Sequence, residues 1–300
     1  MRLITYAVLL SSLALCACSD ETDSEATTDA GVGGEPDAQT QTALCNGHEE
    51  LCARAYDDVS FAATHNANAA QEYGYGINSN QISGLTKQLQ GGVRALLLDV
   101  TYDDAGATVL CHGPCSLAST PHLDGLAELK TFMDEHPREV VTIIYQDSIS
   151  EEDLEADFET SGLFDLVYTL GGSWPTLETM IEDGTRLVVT TESGSAPPAW
   201  IHHVWDVAFD TPYSFMSVDE FSCELNRGAA DNDLFLMNHW VNTELDLPSE
   251  ENAQLVNASD VLLTRAQACE AEAGKRPNFV AVDFYEHGDL FEVVDTLNGL

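Results

Sequence analysis

Short apolar runs alternate along the chain with longer segments whose apolar positions recur every three or four residues, the two spacings that separate strands from helices. Strands are predicted over Val59–Thr64, Val93–Val100, Ala107–Cys111, Glu139–Gln146, Arg186–Thr191, Leu234–Met237 and Asn278–Val282, several of them rich in β-branched residues. Between them, Asn78–Gln90 sets Ile82, Leu85 and Leu89 on one helical face, and His122–His136 does the same with Leu123, Leu126, Leu129 and Phe132 before Pro137. Further helices are predicted over Glu151–Thr160, Thr176–Asp183, around Ala253 and over Ala258–Ala273. Ser193–Arg227 follows neither period. It carries Trp200, Trp205, Phe209, Tyr213 and Phe215, and predicts a lid or a binding rim. Alternating strands and helices imply parallel strands with crossover helices, so the fold class expected is α/β: an irregular (β/α)8 TIM-type barrel forming one domain over 45–300.

Barrels of this kind place their chemistry at the C-terminal strand ends. Here strand after strand stops at a polar group: His65 and Asn66 after the first, Asp99 near the end of the second, His112 after the third, Asp147, then Asn238, His239 and Trp240, and finally Asp283. Alternation along Val93–Val100 puts Asp99 on one face with Ala95 and Leu97, while Leu96, Leu98 and Val100 face the helices. One histidine or aspartate after a strand is usually a turn residue. His65, Asn66, Asp99, His112, Asp147 and Asp283 converging on one mouth would be a site. Two histidines facing each other there can act as base and acid in one reaction, as when an internal hydroxyl displaces an alcohol from a phosphodiester. The amide and carboxylates of Asn66, Asp99 and Asp147 offer oxygen ligands suited to Ca²⁺ or Mg²⁺. Arg227, His239 and Trp240 are expected to contact substrate, Arg227 being the one basic residue placed to reach the mouth. Asp283 is expected to orient His65.

Composition narrows the partners and the compartment. The chain has 51 acidic and 11 basic residues, a formal net charge of -40, which excludes nucleic acid as a partner and predicts a solvated acidic surface. Residues 1–18 read as a signal peptide, and Leu15-Cys16-Ala17-Cys18 as a lipobox with Cys18 lipid-modified; free secretion is the alternative. Ser19 to Leu44 has seven acidic residues and no basic one, the makings of a disordered tether. Export makes disulfides the natural use of the six remaining cysteines, most simply Cys45 with Cys52, Cys111 with Cys115, and Cys223 with Cys269. The middle bond would close a tight loop around His112. A zinc site is the competing use, though the spacings are not paired CxxC units. A monomer is expected.

The motifs ATHN at Ala63–Asn66, RALLLDV at Arg94–Val100 and CHG at Cys111–Gly113 resemble those of the phosphatidylinositol-specific phospholipase C X domain, and PNFVAVDFYEHGDL at Pro277–Leu290 is similar to the last strand of its secreted bacterial and fungal members. The resemblance implies that His65 is the general base on the inositol 2-hydroxyl, that His112 protonates the diacylglycerol oxygen, and that the product is a cyclic inositol phosphate. It implies as substrate a phospholipid or a glycosyl-phosphatidylinositol at a membrane surface. On the metal the sequence departs from both branches of the family. Metal-free members have Asp after the first His and Arg two residues beyond the strand Asp, where this chain has Asn66 and Thr101. Calcium-dependent members have Asn after the His and an acid matching Asp147, but also a Glu where this chain has Leu97. The calcium branch fits better, so Ca²⁺ is the expected cofactor. Two other functions stay open: a non-catalytic barrel binding inositol lipids or glycans, and a glycerophosphodiester or sphingomyelin phosphodiesterase. The latter families pair Glu and Asp after the first strand, which this chain does not.

Overall fold

A computed structural model of the protein describes residues 44–193 and 198–300. The proposed signal peptide with Cys18, and the tether apart from Leu44, lie outside the described residues. Among the described residues, ten strands form one sheet: β1 (Phe61–Thr64), β2 (Ala95–Tyr102), β3 (Thr108–Leu110), β4 (Thr120–Pro121), β5 (Val141–Asp147), β6 (Leu187–Thr191), β7 (His202–His203), β8 (Ala208–Asp210), β9 (Leu234–His239) and β10 (Phe279–Val282). Eight of them run parallel in the order β7-β6-β5-β2-β1-β10-β9-β8, while β3 and β4 form an antiparallel extension on the end of β2. The helices are α1 (Glu49–Cys52), α2 (Leu85–Gly91), α3 (His122–Glu135), α4 (Glu151–Ser161), α5 (Leu177–Glu182), α6 (Val204–Val207), α7 (Glu250–Val256), α8 (Ser259–Ala273) and α9 (Leu290–Asn298). The sheet curls into an irregular TIM-type barrel, with no ladder between its terminal strands β7 and β8 among the described residues.

Two rows of side chains account for the packing. Ala62, Leu96, Leu98, Val100, Ile143, Tyr145, Val189, Met237 and Val280 face outward and bury against helical residues such as Leu85, Leu126, Leu129 and Phe158. Phe61, Ala63, Ala95, Ile144, Val188, Leu236, Phe279 and Ala281 fill the interior with Trp174 and Trp240. Each row follows from the two-residue repeat of a strand. The interior row is narrow at Ala63, Ala95 and Ala281, three neighbours in register on β1, β2 and β10, which lets the strands crowd beneath the mouth.

Three departures from expectation have local causes. The helix expected from Asn78 begins only at Leu85, because a 3₁₀ turn (Gly76–Asn78) precedes it and the Asn80 and Gln81 side chains are tied to the ends of β1 and β10. The segment expected to be irregular contains β7, α6 and β8, elements too short to leave a period. Its return to the barrel depends on Gly228: at φ +81° its missing Cβ would fall 2.1 Å from the Ala208 carbonyl oxygen. The unanticipated α9 seals the floor, where Asn298 exchanges two hydrogen bonds of 2.9 Å with the Ser60 backbone. All three expected disulfides are present, Cys45–Cys52, Cys111–Cys115 and Cys223–Cys269.

Candidate active site

One more step along each interior row reaches the mouth. Beyond Ala63 comes His65, beyond Leu97 comes Asp99, beyond Ile144 comes Gln146, beyond Leu236 come Asn238 and Trp240, and beyond Ala281 comes Asp283. A cavity of about 220 Å³ is lined by His65, Asn66, Asp99, Gln146, Glu192, Tyr213, Arg227, Asn238 and Trp240, among others. Strand parity therefore selects His65, Asp99, Gln146, Glu192 and Asn238, while Asn66, Tyr213 and Arg227 reach the cavity from the connections.

The two histidines are each backed by a carboxylate. Asp283 Oδ1 lies 2.8 Å from His65 Nδ1, and Asp99 Oδ2 lies 2.9 Å from His112 Nδ1. A carboxylate on Nδ1 fixes the ring and leaves Nε2 for chemistry. His65 also stacks flat on Trp240, with ring centroids 3.7 Å apart and planes 5° from parallel, so Trp240 holds the imidazole as well as lining the cavity. Burial lowers the pKa of His112, but the hydrogen bond and charge of Asp99, with the charge of Asp283, outweigh it and hold it above the ordinary value. His112 reaches the site from the loop after β3, closed by the Cys111–Cys115 bond. Asn66 and Phe284, the residues immediately after His65 and Asp283, both adopt left-handed backbone (φ 45° and 48°). That conformation is common for Asn but an outlier for an aromatic, and it marks both strand exits as constrained.

Arg227 does reach the mouth. Its guanidinium contacts Asp210 Oδ2 at 2.6 Å and Glu192 Oε2 at 3.0 Å, and it lies over the rings of Trp205 and Tyr213. Burial lowers its pKa, and the Asp210 bond and charge more than reverse this. Glu192 is pushed upward by burial, against the pull of Arg227, and further by Asp210, Asp99 and Asp147. The one basic side chain lining the cavity among the described residues is thus already shared by two acids.

Two expected site residues are placed otherwise. His239 is not a substrate contact: it lies between Asn238 and Trp240 in β9, has the outward parity, and is fully buried, with Nε2 2.8 Å from the Val256 carbonyl and Nδ1 3.2 Å from Arg265. Asp147 likewise follows the outward row, where its Oδ1 accepts from the Thr191 hydroxyl and from Ser193 N–H at 3.1 Å. Gln146 takes the inward place beside Asp99. Asp147 instead lines, with Asp99 and His112, an adjoining cavity of about 370 Å³. Among the described residues, the only group of three or more His, Cys, Asp or Glu with ligand atoms close enough for a metal is Cys45, Cys52 and Glu178, and its cysteines are disulfide-bonded. The oxygens of Asn66, Asp99 and Asp147 suit a hard cation by their chemistry. With Leu97 among them and Asp147 turned aside, they suit one held mainly by water and substrate. Gln146, Glu192 and Asp210 were not singled out from the sequence, whereas Tyr213 belongs to the aromatic segment expected to form a rim. Extending the interior rows of β5 and β6 by one step finds the first two, while Asp210 lies in β8, too short to show a repeat.

The family model described as "PI-PLC X 1" matches residues 51–298. A PI-PLC X domain-containing protein of Arthroderma benhamiae is 30% identical over 280 residues, which span 87% of this chain and 91% of the relative. One from Arabidopsis thaliana is 29% identical over 292 residues, spanning 87% of this chain but 65% of its own length. The fold is similar to that of a phosphatidylinositol-specific phospholipase C from Staphylococcus aureus, with TM-score 0.57, 14% identity and coverage of 87% and 97% of the two chains.

Proposed function

Because the chain belongs to the PI-PLC X domain family, we propose that it is a phosphoric diester hydrolase that cleaves phosphatidylinositol-type lipids by histidine acid–base catalysis through a cyclic inositol phosphate. The observation that carries this reading is the pair of histidines, each backed at Nδ1 by its own carboxylate, at one mouth. His65 Nε2 takes the proton of the inositol 2-hydroxyl as that oxygen attacks phosphorus. His112 gives a proton to the diacylglycerol oxygen as its bond to phosphorus breaks. Asp283 and Asp99 orient the rings and stabilise the imidazolium that each step needs. The His112 side chain is 35% exposed against 21% for His65, which suits a partner for the lipid leaving group at the rim.

The transition state gathers negative charge on the non-bridging oxygens, and Arg227 is already occupied. A divalent cation, Ca²⁺ by ligand chemistry, would supply the missing positive charge when bound, held by Asn66 and Asp99 and less directly by Asp147. One experiment tests both parts. The purified protein is offered vesicles of phosphatidylinositol, phosphatidylcholine and sphingomyelin, and a glycerophosphodiester, with Ca²⁺ or with excess chelator. Cyclic inositol phosphate should form from phosphatidylinositol alone, and chelation should cost about 10-fold or more. Turnover of another diester without a cyclic product would overturn the lipid assignment. Full turnover on protein shown by elemental analysis to be metal-free would overturn the cation.

A further inference from the structure

The two histidine pairs come from four separate places, the ends of β1, β10 and β2 and the loop after β3, and neither pair by itself fixes the other. A buried side chain lies between them. Asn80, 2% exposed in the connection from β1 to α2, donates from Nδ2 to Asp283 Oδ1 at 3.0 Å, and that nitrogen is 3.4 Å from His65 Nδ1. Its Oδ1 accepts from Asn66 Nδ2 at 3.2 Å, and the same Asn66 nitrogen lies 3.4 Å from His112 Nε2. Its backbone carbonyl accepts the N–H of left-handed Phe284 at 2.7 Å, and its own N–H donates to the Ala69 carbonyl at 2.8 Å.

The direction of this chain of amides is determined. Asp283 Oδ1 accepts from Asn80, whose NH₂ is therefore turned toward it. The Asn80 oxygen then faces Asn66, which must answer with its own NH₂. The Asn66 oxygen is thereby directed away from Asn80 and takes no hydrogen bond from any described residue. Reversing one amide would set two oxygens against each other and leave a buried acceptor unpaired.

We propose that Asn80 is a positioning residue, touching neither substrate nor reacting atoms, that holds the Asp283–His65 pair and the Asn66 side chain, which lies beside His112, in one register. The assignment rests on the acid–base reading above, and one of its two readouts is independent of that reading. Asn80→Ala removes both halves of the link. Asn80→Asp has nearly the same shape and keeps the acceptor for Asn66, but sets an oxygen against Asp283. Each is made in the full chain, and folding is checked by thermal melting. In both variants kcat on phosphatidylinositol vesicles should fall about 10-fold or more, with KM within about twofold, because misplacing reacting groups acts on the chemical step. The downfield proton of the His65 Nδ1–H···Asp283 bond, seen by NMR without substrate, should broaden or vanish. A role confined to holding the turn would lower the melting temperature and leave kcat and that resonance unchanged, which would overturn the proposal. Should Asn80→Ala not fold, Asn80→Asp decides on the same terms. If the wild type turns over no phosphatidylinositol, the acid–base reading fails, and the resonance alone decides whether Asn80 holds the pair.

Discussion

At the residue scale, His239 is held neutral: burial first, then the neighbouring Arg265, lowers its pKa to about 3, below the ordinary value near 6.5. A histidine depressed in the folded state binds fewer protons there than in the unfolded chain. Its contribution to stability is therefore complete above about pH 6.5 and lost as pH falls toward 3. Replacing His239 by Gln keeps a donor for the Val256 carbonyl and an acceptor for Arg265 but removes the titration. Denaturant unfolding across this range should show a flatter loss of stability for the variant, and parallel curves would contradict the assignment. The burial of His239 is not legible in the sequence. A histidine beside a tryptophan at a strand end looks like a rim contact, but one step along β9 separates the cavity from the helix layer, and only Trp240 has the inward parity. His65, Asp99, His112 and Asp283 were legible because each lies at or just past a strand end. Asn80 was not, because its use depends on β1 and β10 being neighbours, which no local pattern records.

At the scale of elements, the extension made by β3 and β4 carries His112 over the mouth, and the Cys111–Cys115 bond closes the loop that presents it. The cysteines are four positions apart. So short a loop constrains little unfolded-chain entropy, and its contribution to stability belongs at the low end of the ~0 to 5 kcal/mol range. Changing both cysteines to serine should therefore lower turnover far more than the melting temperature. A large stability loss with unchanged specific activity would assign the bond to the fold instead. Elements with many periods were legible, such as β2, β5, α3 and α8. The short β7, α6 and β8 were not, because two to four residues cannot display a repeat, and tertiary pairing alone sets them in the barrel.

At the scale of the whole molecule, a net charge of -40 sits uneasily with catalysis on anionic lipid. Repulsion between exposed charges fades beyond about 8 Å at physiological ionic strength, so it opposes the last approach to a membrane. A lipid on Cys18, outside the described residues, would keep the protein near a membrane surface in spite of that repulsion. Cys18→Ser should move the protein from the envelope fraction to the medium; a wild type already soluble with an unmodified terminus would contradict the anchor. Among the described residues the cavity is lined by one guanidinium, already committed to two acids, so the proposed function rests on the two histidines. The most direct measurement follows the phosphorus of phosphatidylinositol by ³¹P NMR with wild type, His65→Ala and His112→Ala. The wild type should give a cyclic inositol phosphate, and each variant, folded by its melting curve, should lose on the order of 10²-fold or more in rate. A variant that keeps near-wild-type turnover of the lipid, or a wild type whose first product is an acyclic phosphate, would contradict acid–base catalysis by this pair.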